Sequence, residues 1–449
     1  MQSAAPPGLP APDWVAPAAN GPVRARLRPP GSKSMTNRAL VLAALGRGPT
    51  TITGALRARD TELMAAALRA LGAAVDEGGP DGDAAAWQVT PGRPEGRATI
   101  DVGNAGTVLR FVPPAAARAR ADVEFRGDPR ASKRPVAPLL AALRELGAVI
   151  DDEGRGAVPF IVRGQGAISG GTVTLDASGS SQLVSGLLLA APRYDKGAEV
   201  CHRGPRVPSA PHIAMTVQML RDAGAHVEAW SAGGESAVPD RWRVHPGELR
   251  PRAVAVEPDL SNAAPFLAAA LVTGGSVTIT DWPARTLQAA GPILDVLTQM
   301  GANCSHTASE LRVSGSGSVR GITARLSDVS EVVPVLTALA ALADSPSEFT
   351  GIGHMRTHES NRLAALAGEI GALGGDVAER EDGLVIRPRP LRAGSGAVFA
   401  SHDDHRLVMA AAVLGLALPD GLPVGNAATV AKTFPAFTTM WSAMLEGPP

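Results

Sequence analysis

Apolar residues recur at helical spacing along the chain, then give way to short alternating runs, and the pair repeats. Leu68-Arg69-Ala70-Leu71-Gly72-Ala73-Ala74-Val75 returns as Leu143-Arg144-Glu145-Leu146-Gly147-Ala148-Val149 and as Leu220-Arg221-Asp222-Ala223-Gly224-Ala225-His226-Val227. It comes again as Leu297-Thr298-Gln299-Met300-Gly301-Ala302-Asn303-Cys304 and, more weakly, as Leu373-Gly374-Gly375-Asp376-Val377. The glycines at 72, 147, 224, 301 and 374 stand 75, 77, 77 and 73 residues apart. At that period the 449 residues hold about six units. Each copy predicts an amphipathic helix closed by a left-handed glycine, with a strand starting at once. A second short strand follows, as in Trp87-Gln88-Val89 or Phe160-Ile161-Val162, then a third, as in Ala98 to Val102 or Thr172 to Leu175, which feeds another helix. The unit reads βαβαββ and the fold class is mixed α/β. Units this long are not those of a stacked solenoid.

Near Arg252 to Pro258 a strand ends at proline and a helix starts at Ser261-Asn262. Two domains of three units each are the economical reading, and the length agrees with two or three domains. Composition narrows the function. With 42 basic and 43 acidic residues the net charge is −1, a poor match to a nucleic-acid binder. Cys201 and Cys304, the two cysteines, make neither a disulfide framework nor a cysteine zinc site. Only four of the basic residues are lysines (Lys33, Lys133, Lys196 and Lys432), so in an arginine-rich chain each lysine gains weight. Residues 1–20 are rich in Pro and Ala, predict disorder, and lack the pattern of a signal peptide. The uncharged stretch from Ala263 to Thr280 reads as helix, turn and strand, not as a membrane span. A soluble cytoplasmic protein is expected.

Three strand-to-helix junctions carry candidate chemistry. Pro29-Pro30-Gly31-Ser32-Lys33-Ser34-Met35-Thr36-Asn37-Arg38, Gly103-Asn104-Ala105-Gly106-Thr107 and Asp176-Ala177-Ser178-Gly179-Ser180-Ser181-Gln182 each open an apolar helix with small polar residues. Backbone N–H groups at a helix start attract anions, although each segment alone also reads as ordinary N-capping. Three at equivalent places in a repeat point to a phosphorylated ligand gripped without a metal. Asp128 to Pro135 adds three cations; His354 to Arg362 packs two histidines, two arginines and a glutamate together. His402-Asp403-Asp404-His405-Arg406 opens a further helix, and Lys432-Thr433-Phe434-Pro435 the last. A metal on His354, His358, His402 and His405 is disfavoured, because no Glu follows the first His as a zincin requires and Arg356, Arg362 and Arg406 repel a cation. Glu331, beside an apolar helix, reads as a candidate base or as a helix-dipole acid.

Together these segments resemble the enolpyruvyl transferase family, and within it the 5-enolpyruvylshikimate-3-phosphate synthases, over nearly the whole chain after about Asp13. The resemblance is carried by Pro30-Gly31-Ser32-Lys33-Ser34, Gly103 to Thr107, Arg134-Pro135, Ser180-Ser181-Gln182, Asp404-His405-Arg406 and Lys432 to Pro435. It implies a two-domain inverse α/β barrel fold with three βαβαββ repeats per domain. The expected division is a disordered tail at 1–13, one domain at 30–256, and a second from 14–29 plus 257–449, with substrates bound in the cleft. It further implies transfer of the carboxyvinyl group of phosphoenolpyruvate to shikimate 3-phosphate, with no cofactor and no metal, by a monomer that binds neither nucleic acid nor membrane. Shikimate 3-phosphate is expected on Lys33, Ser34, Arg38, Ser180, Ser181, Gln182, Ser209, Glu331 and His358. Phosphoenolpyruvate is expected on Lys33, Asn104, Gly106, Arg134, Arg362, Arg406 and Lys432. The catalytic candidates are Glu331 as base and Lys33, Glu359 and His405 as acids. Three positions depart from the usual family pattern: Glu331 for Asp, His358 for Lys and His212 for Tyr. A histidine at 358 suggests a pH dependence between about 5 and 8. Gly106 suggests sensitivity to glyphosate. The sister transferase acting on UDP-N-acetylglucosamine is the nearest alternative, but it depends on a loop cysteine, and Cys304 falls in a repeat strand. An RNA-end cyclase or a non-catalytic repeat scaffold is the remaining alternative.

Overall fold

A computed structural model describes residues 12–78, 86–93, 96–233 and 238–446. It divides into two compact units, named here for their place in the sequence. The inner unit comprises Pro30–Pro258 and Thr286–Gln288; the terminal unit holds the described parts of Met1–Pro29, Asp259–Arg285 and Ala289–Pro449. Glu257 and Pro258, grouped with the second domain on sequence grounds, stay with the inner unit. The Glu257 carboxylate accepts bonds from Thr286, Leu287 and Gln288 and so gathers that short segment to itself.

The repeat is visible as sheet topology. Among the described residues, five sheets have four strands in one order: the first strand parallel to the second, the fourth antiparallel to the second, and the third on the far edge. In the inner unit one such sheet runs Ala98–Asp101, Val123–Arg126, Phe160–Arg163, Val149–Asp151, and another Gly171–Leu175, Ala198–His202, Arg241–Val244, Val227–Trp230. The closing glycines 72, 147, 224, 301 and 374 all have positive φ, between 87° and 109°. That is the left-handed conformation only glycine adopts without steric cost.

Two sheets borrow their first strand across the sequence. Arg24–Leu27 lies parallel to Ser276–Thr280 in the terminal unit, and Val254–Ala255 lies parallel to Thr50–Thr53 in the inner unit. The sixth sheet has three strands. Phe399–Ala400 pairs parallel with Leu422–Gly425, whose other side takes the N-terminal strand Pro12–Ala16 in antiparallel pairing. Pro12–Ala16, within the first twenty residues expected to be disordered, are therefore a strand; residues 1–11 lie outside the described residues. The Asp13 carboxylate accepts from the N–H groups of Ala427 and Ala428 and so holds the strand in place.

Each unit has its own core, built around three buried helices. In the inner unit these are Lys33–Ala44, Gly106–Ala116 and Ser181–Ala190; in Gly106–Ala116 every residue is buried. In the terminal unit they are Leu260–Thr273, Val333–Ala341 and His405–Gly415. Helices that are apolar on all sides can be stable only when surrounded in this way. Of the amphipathic helices that end at the repeat glycines, Arg59–Ala70, Ala137–Glu145, Ala210–Asp222 and Arg362–Ala372 pack against these buried helices. No helix among the described residues is long and apolar enough to cross a membrane.

Candidate active site

In the inner unit the three buried helices present their N-termini to a common group of side chains. Ser32 caps Lys33–Ala44 by accepting from the Met35 N–H, and Ser180 caps Ser181–Ala190 by accepting from the Gln182 N–H. Lys33 is the first residue of its helix. Its ammonium lies 3.2 Å from the Asp60 carboxylate, with 16% of the lysine side chain exposed against 1% of the aspartate. The acid is sealed in and holds the ammonium of a lysine whose side chain is partly exposed.

Arg134 donates to the carbonyl and the side-chain oxygen of Asn104, at 2.7 and 3.4 Å. Arg110 donates to Gln182 Oε1 at 2.8 Å and to the Pro135 carbonyl. Gly106 separates these two guanidinium groups. A Cβ there would lie 2.6 Å from Arg134 Nη2 and 2.9 Å from Arg110 Nη1, so glycine keeps the space in front of both cations open. Asn37 donates to Thr107 Oγ1 at 2.6 Å and ties the first helix to the second.

Arg38 is buried and largely committed within the unit. It donates to Thr216 Oγ1, the Ser34 carbonyl, Ser185 Oγ and the His212 carbonyl, and lies 5.0 Å over the Phe111 ring. Burial pulls its pKa down to about 9, which still leaves it charged at neutral pH. One Nη1 hydrogen remains for a ligand, so its main effect is to fix helices Lys33–Ala44, Ser181–Ala190 and Ala210–Asp222 to one another. Ser209, just before the last of these, is held left-handed at φ 52°. A non-glycine residue adopts that conformation at a cost of about 1–2 kcal/mol, a form of strain that concentrates at functional sites.

In the terminal unit the corresponding helix starts carry carboxylates interleaved with cations. Arg362, 1% exposed in its side chain, is the hub. Its Nε and Nη2 make a two-pronged contact with Asp404 at 2.8 and 3.1 Å. Nη2 also reaches Glu359 at 3.0 Å, and Nη1 meets His358 Nδ1 at 3.1 Å and Glu331 at 3.9 Å. Arg406 Nε lies 3.6 Å from the same Glu331 oxygen and its Nη1 donates to Asn262. Lys432 sits 3.4 Å from Glu359. Burial opposes the charge on Arg362, but Asp404, Glu359 and Glu331 outweigh it and raise its pKa. Asp404 caps helix His405–Gly415 through the Arg406 N–H, so one carboxylate both starts a helix and orients an arginine.

Exposure separates the three acids. The Glu331 side chain is 30% exposed, against 7% for Glu359 and 0% for Asp404. Glu331 stands on a single 3₁₀ turn, Ser330–Val332, that leads into helix Val333–Ala341. Lys432, expected to open the last helix, instead ends the 3₁₀ segment Ala427–Lys432, and the helix begins at Phe437. His405 is wholly buried, with Nδ1 3.7 Å from Asp404. His358 departs from the expected titration between pH 5 and 8. Burial first, then Arg362 and His354, push its pKa well below the ordinary value, so its neutral form is favoured.

Most of the polar contacts above join residues far apart in sequence, and the sequence alone does not point to several of the partners. Asp60, Arg110 and Asn262 were given no role, and Asp404 was noted only as part of a motif. Asp60 offers a faint signal, an acid in the first turn of helix Arg59–Ala70 that also reads as a dipole partner. The four histidines weighed as metal ligands do not gather. His354 and His358 stack edge-on beside Arg362, while His402 pairs with Glu369. A different group, His226, Glu228 and His245, places ligand atoms within 4.8 Å of one another at the ends of strands Val227–Trp230 and Arg241–Val244. Direct pairing accounts for it: His245 meets Glu228 at 2.6 Å and stacks on His226. Both thiols are raised by burial, and both lie in strands, Ala198–His202 and Asn303–His306. Neither has the reactive setting that an active-site cysteine needs.

This architecture is that of the enolpyruvyl transferases. The crystal structure of the enolpyruvyl transferase NikO from Streptomyces tendae matches with a TM-score of 0.74 at 19% identity, covering 97% of each chain. The EPSP synthase of Acinetobacter baumannii matches with a TM-score of 0.76 at 25% identity, over 95% of this chain and 97% of that one. A family model described as EPSP synthase (3-phosphoshikimate 1-carboxyvinyltransferase) covers residues 17–441. A curated 3-phosphoshikimate 1-carboxyvinyltransferase from Mycobacterium ulcerans is 51% identical over 440 residues, 97% of this chain and 98% of the relative. The chain belongs to the EPSP synthase family.

Proposed function

We propose a division of labour among these residues for the reaction of this family. The chain is an enolpyruvyl transferase of the shikimate pathway; it moves the enolpyruvyl group of phosphoenolpyruvate to shikimate 3-phosphate. Glu331 accepts the proton of the 5-hydroxyl, whose oxygen bonds to the second carbon of phosphoenolpyruvate. Lys33 donates a proton to the methylene carbon, giving a tetrahedral intermediate. The bond to the phosphate oxygen then breaks, phosphate leaves, and the new methyl group returns a proton to restore the double bond.

The observation that carries this reading is the contrast in exposure. Glu331 is the acid of its network that solvent, and hence a substrate hydroxyl, reaches, while Arg362 and Arg406 lie beside its carboxylate. Lys33 has the same relation to Asp60. Glu359 and His405, considered as acids, act through Arg362, Lys432 and Asp404 and are positioning residues. In the inner unit Ser34, Ser180, Ser181, Gln182 and Ser209 contact shikimate 3-phosphate, with Arg38 supporting them and donating one hydrogen. There Lys33, Asn104 and Arg134 contact phosphoenolpyruvate, with Gly106 leaving room. In the terminal unit Arg362, Arg406 and Lys432 receive the carboxylate and phosphate of phosphoenolpyruvate, and His358, neutral, offers a hydrogen bond to shikimate 3-phosphate. Planar guanidinium groups suit both anions. The same reading makes the protein a cytoplasmic monomer acting on small molecules, in keeping with its near-zero net charge.

Phosphate release by purified protein is the test. Release is expected only with shikimate 3-phosphate and phosphoenolpyruvate together, and competitively with glyphosate against phosphoenolpyruvate. Glu331→Gln is expected to retain substrate binding and lose turnover. Turnover by that variant within tenfold of the parent would remove Glu331 from the base role.

A further inference from the structure

The three buried helices of the inner unit have a second shared end. Past the C-termini of Lys33–Ala44, Gly106–Ala116 and Ser181–Ala190 lies a cavity of about 340 Å³. Arg47, Arg93, Arg118, Arg120 and Arg193 line it, together with an apolar wall that includes Leu45, Leu68 and Leu71. The helix Lys33–Ala44 is 12 residues long, so about 18 Å of helix separates Lys33 from this cavity. It is a distinct place in the unit from the cluster around Gly106.

The cations in it are unlike the other arginines of the repeat. Arg69, Arg144 and Arg221, each in the last turn of a helix, donate to the carbonyls of Val75, Ile150 and Val227 and serve the fold. Arg47 pairs with Glu248. Among the described residues Arg118, Arg120 and Arg193 make no side-chain hydrogen bond or ion pair, the Asp195 carboxylate offsets part of the charge on Arg118 from outside the lining, and no described lining residue is acidic. Helix C-termini contribute partial negative charge, roughly half a unit each, which offsets only part of the surplus. The crowding registers on Arg118, whose pKa is lowered by burial and then by Arg193 and Arg93, against a smaller opposing pull from Tyr194 and Asp195. A volume of this size is at the lower end for small-molecule sites, and forked guanidinium groups facing an apolar wall suit one kind of guest.

We propose that this cavity binds a small organic anion bearing at least two carboxylate or phosphate groups on an apolar body. The ligand's charges engage Arg118 and Arg193, its body lies on Leu45 and Leu68, and the site operates separately from the reaction centre.

Calorimetry on the full-length protein tests this with benzene-1,3-dicarboxylate and, separately, inorganic pyrophosphate as probes. One saturable site for the dicarboxylate is expected in the parent and in Lys33→Met, with at least tenfold weaker binding in the double variant Arg118→Gln/Arg193→Gln. That variant is expected to keep parental turnover, which also shows that it has folded. Parental affinity in the arginine variant, or loss of the site in Lys33→Met alone, would overturn the assignment. Tighter binding of pyrophosphate than of the dicarboxylate would overturn the apolar body.

Discussion

In the inner unit the helix starts hold Lys33 and Arg134 with one buried carboxylate, Asp60, and the side chain and carbonyl of Asn104. In the terminal unit the equivalent helix starts hold Arg362, Arg406 and Lys432 among Glu331, Glu359 and Asp404. The scaffold is the same repeat; the filling differs. A surplus of cations is a trap for anions, with little capacity to take up a proton. A balanced set of acids and cations fixes its members tightly and can spare one carboxylate, Glu331, for proton transfer. The comparison teaches that one helix-start geometry serves anion binding or proton acceptance according to how its charges are compensated.

The largest expected effect breaks the proton-transfer side. Glu331→Gln should lower kcat by about 10²–10⁴, measured in single turnovers, with smaller changes in substrate affinity. Breaking the compensation itself comes next. Asp404→Asn leaves Arg362 buried with one charged partner fewer, and urea unfolding should show a loss of about 3–5 kcal/mol. The corresponding change in the inner unit, Asp60→Asn, should cost less stability, because Lys33 can turn its partly exposed tip to water.

A pH series sharpens the same contrast. Burial pushes His354 down to about 4 and His358 well below its ordinary value. Their stabilising contribution is therefore complete above pH 6.5 and falls as acid is added, because the unfolded chain takes up protons that the folded one refuses. For His354 the loss is about 1.4 kcal/mol per pH unit between pH 6.5 and about 4, and His354→Leu should remove it in urea melts across that range. The smallest effect is steric. Gly106→Ala should leave stability nearly unchanged, since the added methyl meets flexible arginine tips, yet raise KM for phosphoenolpyruvate about tenfold and weaken glyphosate.

The closing glycines were legible because a left-handed turn followed by a strand leaves few other choices of residue. The helix starts at Ser32, Ser180 and Asp404 were legible because N-capping is local. What joins them was not. Arg362 meets Asp404 from 42 residues away, Lys432 meets Glu359 from 73, and Arg406 meets Asn262 from 144. No periodicity encodes such pairings. The neutral His358 shows the same limit: its type suggested a switch, while the burial that silences it belongs to tertiary packing. The sixth repeat was only partly legible, because its last strand comes from the opposite end of the sequence.

That borrowed strand sets an order of events during synthesis. Asp13 cannot cap Ala427 until 414 further residues have been made, about 20–80 s at ordinary ribosome speeds. Arg24–Leu27 waits similarly for Ser276–Thr280, while the inner unit, nearly continuous in sequence, can fold first. For that interval the nascent chain carries two strands with no partner in its own sheet. Arg24 and Arg26 stud one of them with charge, and Arg28 follows it at once, a guard against pairing with the wrong edge while the right one is still being translated.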